Sequence, residues 1–175
     1  MTSRHAPRST RSPIATTGLS APTTRQRFDA GELSASPLYY GLWAFRQVPQ
    51  GRFVDLDLAD SNLSNLRAYG VKSPNGDLTM ILINVQDPTS SASTNDAVTL
   101  NLPTSYGEGR SVTLQSSAAA GLSSTDASAI TLGGRTVAPS GVASGAPQAV
   151  AVDVQHRAST VTVAPGTAQI VTFSN

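Results

Sequence analysis

The sequence contains no cysteine, only two glutamates, and few aromatic side chains: one Trp, four Tyr and four Phe among 175 residues. The lack of cysteine excludes disulfides, thiolate nucleophiles and cysteine-ligated metals. No apolar run approaches the roughly 18 residues of a membrane-spanning helix, so no membrane partner is expected. Charged residues make up only 13% of the chain, which suits a β-rich protein better than a charged helical bundle.

The charges are distributed unevenly. Residues 1–28 carry five arginines and no acidic residue, whereas residues 29–175 carry 7 basic and 11 acidic residues. The net charge of −4 over this longer part argues against a nucleic-acid partner.

The N-terminal segment has no apolar periodicity. It is rich in Ser, Thr, Pro and Arg, so we predict that residues 1–35 form a disordered tail and a polar lead-in. Residues 13–19 are too polar for the core of a signal peptide. The composition also resembles that of a transit peptide, and the localisation stays open.

Residues 36–50 contain the only predicted helix. Ser36 is a candidate N-cap, Pro37 suits the first helical position, and Pro49 and Gly51 end the pattern. Between them lies LYYGLWAFRQ, which is apolar on every face. A helix of this kind must be buried on several sides, and about ten residues are too few for a stable isolated helix.

From residue 51 the pattern is that of β-strands and turns. The turn Ser73-Pro74-Asn75-Gly76 predicts a hairpin with positive φ at Asn75 and Gly76. Gly133-Gly134 predicts a second hairpin, and Gln155–Arg157 a turn. The predicted strand segments are 52–58, 65–71, 77–85, 97–102, 111–116, 130–132 with 135–137 as one short hairpin, 148–154, 159–163 and 168–173. The almost wholly apolar segment 77–85 is expected to be a central strand. Since no helices lie between them, we predict an antiparallel all-β sandwich of about eight or nine strands over residues 51–175.

Several segments, in order, resemble one junction in known enzymes. The segments are SPLYYGLWAF followed by GRFV, then LRAYG, GDLTMILIN, AITLGG and the closing residues 161–173. They resemble the end of the catalytic barrel and the C-terminal domain of the β-glucuronidase/heparanase glycoside hydrolases (family 79). The resemblance covers about residues 36–175.

The resemblance implies an accessory, non-catalytic β-sandwich that packs against a (β/α)8 barrel, here detached from that barrel. It implies that the helix, like the last helix of the barrel, contacts the sandwich on one face and the barrel on another. The predicted interface is Leu38, Tyr39, Tyr40, Leu42, Trp43 and Phe45, and the partner is a catalytic barrel or a second copy of the chain. The resemblance further implies that a strand from before the barrel joins the sandwich, so an exposed sheet edge is expected. A truncated reading frame and a split enzyme both remain open.

No residue of the chain matches the family's catalytic motifs. Retaining glycosidases need two carboxyl groups about 5–5.5 Å apart, but Glu32 lies in the polar lead-in and Glu108 in a turn between strands. Asp55, Asp57 and Asp60 suggest calcium only weakly, because Asp55 and Asp57 alternate on one strand and face solvent. We expect no catalytic residue, no metal and no cofactor.

The aromatic side chains suggest an alternative function. Tyr39, Tyr40, Trp43 and Phe45 are candidates for stacking on sugars, which would make the chain an independent carbohydrate-binding module. The β region offers few further aromatics and no Trp. Packing of the helix in a core or interface is therefore favoured.

Overall fold

The structure, a computed structural model, describes residues 24–31, 35–56, 65–103, 106–138 and 141–175. These residues form two α-helices, eleven β-strands and two single-turn 3-10 helices. The helices are α1 (Thr24–Asp29) and α2 (Pro37–Phe45). The strands are β1 (Arg52–Val54), β2 (Leu66–Lys72), β3 (Leu78–Asn84), β4 (Asp96–Asn101), β5 (Gly109–Ser116), β6 (Ile130–Leu132), β7 (Thr136–Val137), β8 (Ala143–Ser144), β9 (Val150–Val152), β10 (Ala158–Val163) and β11 (Thr167–Phe173).

Every strand pairing of the described residues is antiparallel, which confirms the predicted all-β sandwich. The main sheet has the order β1-β2-β3-β11-β5-β6, with β9 also paired to β5. Strand β3 lies between β2 and β11. Its nearly continuous apolar sequence predicted this central position, because a strand buried on both faces needs apolar side chains on both.

The two-stranded sheet β10–β4 covers one face of the main sheet. Alternate side chains of each sheet point into the space between them. Leu82, Val163, Val171 and Phe173 show no measurable exposure. The complete core cluster is Leu66, Leu78, Met80, Leu82, Val98, Leu100, Leu102, Tyr106, Val161, Val163, Val171 and Phe173.

Helix α2 covers part of the opposite face of the main sheet. Tyr40 and Ala44, one helical turn apart, pack against this face. Strands β5, β6 and β11 of the main sheet contribute Leu114, Ile130, Leu132, Ala168 and Ile170 to the second core. The main sheet is therefore covered on one side by strands and on the other by a short helix.

The Ser73–Asp77 hairpin has the predicted position but another turn type. Gly76 has φ +94°, whereas Asn75 is not among the described residues with positive φ. The N–H of Ser73 donates to the carbonyl of Asp77, and that of Gly76 to the carbonyl of Ser73. This three-residue loop replaces the expected two-residue turn because Pro74 fixes a negative φ at the first turn position.

The second predicted hairpin, over residues 130–137, extends for only one residue pair. Gly133 and Gly134 have φ of 55° and 72°, as a tight turn requires, and Leu132 pairs with Arg135. Beyond that pair, β7 leaves β6 and pairs with β8. Local hydrogen bonds, including Ala138 N–H to the Val142 carbonyl at 2.9 Å, replace the longer hairpin and form a separate two-stranded sheet.

Two further details near the N-terminus differ from expectation. Helix α1 lies in the segment for which no regular element was predicted, and its Arg25–Asp29 ion pair spans one helical turn at 3.8 Å. Ser36 occupies the N-cap position of α2, but its side chain makes no capping hydrogen bond. The remainder of residues 1–35, outside 24–31 and Ala35, lies outside the described residues.

Replacement of Leu82 by alanine is expected to lower the free energy of unfolding by about 2–5 kcal/mol, because it leaves a cavity in a tightly packed core. Thr160→Ala is the matched control. Thr160 is exposed on β10, and its loss should change stability by no more than about 0.5 kcal/mol. Urea denaturation followed by circular dichroism measures both; equal effects would contradict the described core.

Candidate functional site

Helix α2 is fixed to the sandwich through Tyr40. This side chain is 1% exposed, and its hydroxyl oxygen accepts a hydrogen bond from the backbone N–H of Val137 at 2.8 Å. Its ring also contacts Tyr39 edge-on, with a centroid distance of 6.4 Å, and Trp43 at 6.1 Å. A nine-residue helix is marginal in isolation, so this buried contact orients α2 on the sheet.

Trp43 forms a second attachment. It is half-buried, and the guanidinium carbon of Arg135 lies 5.6 Å from the centroid of its ring, within the range of a cation–π interaction. The same guanidinium donates through Nη2 to the carbonyl of Ala143 at 3.3 Å. Arg135 therefore joins the helix to the small β7–β8 sheet.

The outward face of α2 has no covering element among the described residues. Leu38, Leu42 and Phe45 are 72%, 58% and 70% exposed, and Tyr39 is 43% exposed. We call these four residues the helix patch. Exposed single apolar residues are common, but a contiguous group of this kind marks a surface for interaction. Of the six predicted interface residues, Tyr40 packs against the sandwich and Trp43 is half-buried, and the other four form the helix patch.

An apolar groove of about 690 Å³ lies beside the helix patch. Its walls are α2, the segment 46–51 and the face of the main sheet that α2 leaves uncovered. Phe45 belongs to both the patch and the groove, so the two surfaces are continuous. Other lining side chains are Phe53, Tyr69, Ile81 and Ile83, and Gln50 is the one polar side chain among the residues that line it.

Phe53 and Tyr69 line the groove and are 78% and 50% exposed, but they were not among the predicted site residues. They lie on β1 and β2, on the same face of the sheet, because Phe53 pairs with Val71 and side chains alternate along a strand. The sequence did contain a signal that part of this face would be exposed. Strand β3 is apolar on both faces, and α2 is too short to cover the second face completely.

Gly51 fixes the path from α2 to β1. A Cβ atom at this position would lie 2.2 Å from the carbonyl oxygen of Lys72, far below van der Waals contact. Only glycine therefore allows the chain to approach β2 so closely. This close approach holds α2 and β1 on opposite sides of the groove.

Of the candidate acidic residues, the structure describes only Asp55 and Glu108, and both are exposed. Glu108 is exposed next to β5, and Glu32, Asp57 and Asp60 lie outside the described residues. Within the described ranges, no cluster of three or more His, Cys, Asp or Glu side chains is placed to hold a metal ion. In the same ranges, no helix has the length and apolar character needed to cross a membrane.

Two aspartates have a perturbed pKa, and both lie in exposed loops. A hydrogen bond from the Thr89 hydroxyl lowers the pKa of Asp87, and one from the Ser128 hydroxyl lowers that of Asp126. A glycosidase general acid needs a raised pKa. These shifts are therefore opposite in direction to the one that acid catalysis requires.

The fold and surface define an antiparallel β-sandwich domain whose attached helix presents apolar side chains to solvent. The chain belongs to the glycosyl hydrolase family 79 C-terminal beta domain, since the model of that family matches residues 68–170, more than half of the chain. This confirms the resemblance found in the sequence.

Two solved structures of glycoside hydrolases match part of the chain. A 4-O-α-L-rhamnosyl-β-D-glucuronidase from Fusarium oxysporum 12S matches with a TM-score of 0.55 and 21% identity, over 69% of this chain and 25% of its own. A family 30 endoxylanase from Clostridium papyrosolvens matches with a TM-score of 0.48 and 13% identity, over 79% of this chain and 28% of its own. The chain thus spans about a quarter of the length of these enzymes. No curated protein sequence matches it.

Tyr40→Phe is expected to destabilise the domain by about 0.5–1.5 kcal/mol, because it removes the acceptor of the partly buried N–H of Val137. Tyr39→Phe removes the same hydroxyl from an exposed ring one residue away and should be nearly neutral. Chemical denaturation of the two variants compares them. Equal stability would show that the Tyr40 hydroxyl does not anchor α2.

Proposed function

We propose that this chain is a non-catalytic accessory domain that packs against the catalytic barrel of a family 79 glycoside hydrolase through the helix patch. The observation that carries the proposal is the two-sided character of α2. Tyr40 and Ala44 attach the helix to the sandwich, while Leu38, Leu42 and Phe45 remain exposed on the other side.

Burial of the helix patch and the groove would supply the driving force. Fully burying one large apolar side chain is worth about 1.5–3 kcal/mol. Four such side chains, with Phe53 and Tyr69 beside them, resemble the apolar core of a permanent interface. The Fusarium enzyme, four times as long as the region it shares with this chain, supports a much larger body as the partner.

The family also suggests which activity the complete enzyme, with its catalytic barrel, would have. The Fusarium enzyme is named for cleavage at β-D-glucuronic acid, so we propose that the barrel served by this domain acts on glucuronides. In this proposal the catalytic carboxylates belong to the barrel, and the role of this chain is to cover and stabilise it.

The docking surface is tested with the excised barrel of a family 79 enzyme, titrated with this chain in a calorimeter. Leu42→Glu and Phe45→Glu should each weaken binding by about tenfold or more, because each places a charge in an apolar contact. Val150→Glu is the matched control: Val150 is 66% exposed on β9, away from the patch, and its replacement should leave affinity within about twofold. No binding by the unmodified chain, or equal losses in all three variants, would refute docking through α2.

The isolated chain is expected to hydrolyse no chromogenic glucuronide and to give no saturable heat with glucuronide-containing sugars. The groove offers a sugar mainly apolar side chains, whereas sugar recognition also needs several hydrogen-bonding groups. Turnover of the chromogenic glucuronide that is abolished by Glu108→Gln would show that the chain is itself an enzyme. Saturable binding lost in Tyr69→Ala would instead favour the carbohydrate-binding module.

A further inference from the structure

Gly41 lies in the middle of α2, where glycine is an unfavourable residue. Only proline is less favourable than glycine in a helix interior. The cost is important here because α2 has nine residues, a length at which an isolated helix is marginal. Alanine at this position would favour the helix, so the presence of glycine calls for a physical reason.

The backbone and contacts of this chain give no such reason. Glycine is needed where φ is positive or where another group comes too close for a Cβ atom. Gly41 is helical, and apart from its chain neighbours and the helix backbone no described atom lies within 4 Å of its would-be Cβ. At Gly70 and Gly109, by contrast, side-chain atoms lie 2.5 Å and 2.8 Å from that position. Among the described glycines of helices and strands, Gly41 alone has neither a positive φ nor such a close neighbour.

The bare backbone at Gly41 faces the groove. Gly41 is exposed and lines the groove, as do Ala44 and Phe45 one turn further along α2. Leu38 lies one turn before Gly41 and is 72% exposed. The gap left by the missing side chain is therefore bordered by two residues of the helix patch, Leu38 and Phe45.

A missing side chain lets another polypeptide come closer to a helix. A Cβ atom at residue 41 would hold a partner away from the backbone of α2, and Leu38 and Phe45 would then bury less of their surface against it. Glycine serves this purpose wherever a backbone must be approached closely. The floor of the groove consists of apolar side chains, among them Ile83 and Ile170, so the partner that fits is apolar.

We propose that an apolar segment of the catalytic barrel crosses α2 in contact with Gly41 and fills the groove beside it. This inference rests on the proposed function, because it takes the barrel as the occupant. The matching family is a C-terminal domain of glycosyl hydrolases, and the remainder of such an enzyme is the body that accompanies the domain. The inference adds the point of closest contact, which lies at the backbone of Gly41.

Gly41→Ala separates the stability of this chain from its affinity for the barrel. In the isolated chain, the ratio of folded to unfolded molecules measured by urea denaturation should rise about fourfold, because alanine favours the helix. Calorimetric titration with a family 79 barrel should instead show binding weakened by at least about fivefold, because the added methyl group occupies the closest point of contact. A purely structural role of Gly41 would not move stability and affinity in opposite directions.

Gly41→Leu extends the test with a side chain that would fill part of the groove. Leucine is a strong helix former, so the isolated chain should stay folded while barrel binding falls by at least about tenfold. Gly107→Ala is the matched control. Gly107 is exposed, lacks a positive φ and has no neighbour within 4 Å of its would-be Cβ, and it follows Tyr106 of the other core. This change should leave the affinity within about twofold.

Several results would overturn the inference. Lower stability of the isolated Gly41→Ala chain would show that this chain itself packs on Gly41. Unchanged affinity in both Gly41 variants would exclude the close contact, yet docking through the helix patch would stand if Leu42→Glu still weakens binding. No binding by the unmodified chain removes the proposed function and this inference together. Self-association of the chain that Gly41→Leu abolishes would make a second copy, and not the barrel, the occupant of the groove.

Discussion

The structure depends on one constraint: the central strands of the main sheet are apolar on both faces, so both faces must be covered. Strand β3 contributes Met80 and Leu82 to one core, whereas Ile81 and Ile83 point to the other side. Water cannot be left against either face without a large cost in free energy. The two-stranded sheet covers the first face, and α2 begins to cover the second.

The two covers are attached in different ways. Amide side chains link the small sheet to the main sheet: Asn84 is almost fully buried and donates to the carbonyl of Val163 at 3.1 Å, and Gln169 reaches the carbonyl of Thr162. The helix is held by the Tyr40 hydroxyl and by Arg135 on Trp43. Both attachments use hydrogen bonds to backbone groups: the bond at Val163 is buried, and the bonds at Val137 and Ala143 are partly buried. Each cover therefore has a defined position as well as an apolar contact.

Among the described residues the helical cover is incomplete, and this leaves the groove and the helix patch as a candidate contact surface. A nine-residue helix is about 13 Å long, too short to cross the whole sheet, so Phe53, Tyr69 and Ile83 remain beside the groove. The described residues therefore leave an apolar face of the main sheet exposed beside α2.

The sequence by itself determined the elements and the family. Period-two alternation is a local property, so it predicted most strands to within a few residues, and the apolar run of β3 predicted its central place. The turn at Pro74 differs from the predicted type because proline fixes a negative φ. Strand β7 leaves the predicted hairpin because local hydrogen bonds pair it with β8 instead. Only the tertiary structure decided which aromatic residues of α2 are buried, since LYYGLWAF is apolar all round and the sheet selects Tyr40. Likewise the groove unites Phe45, Phe53, Tyr69 and Ile83, which are far apart in the chain, so no local pattern encodes it.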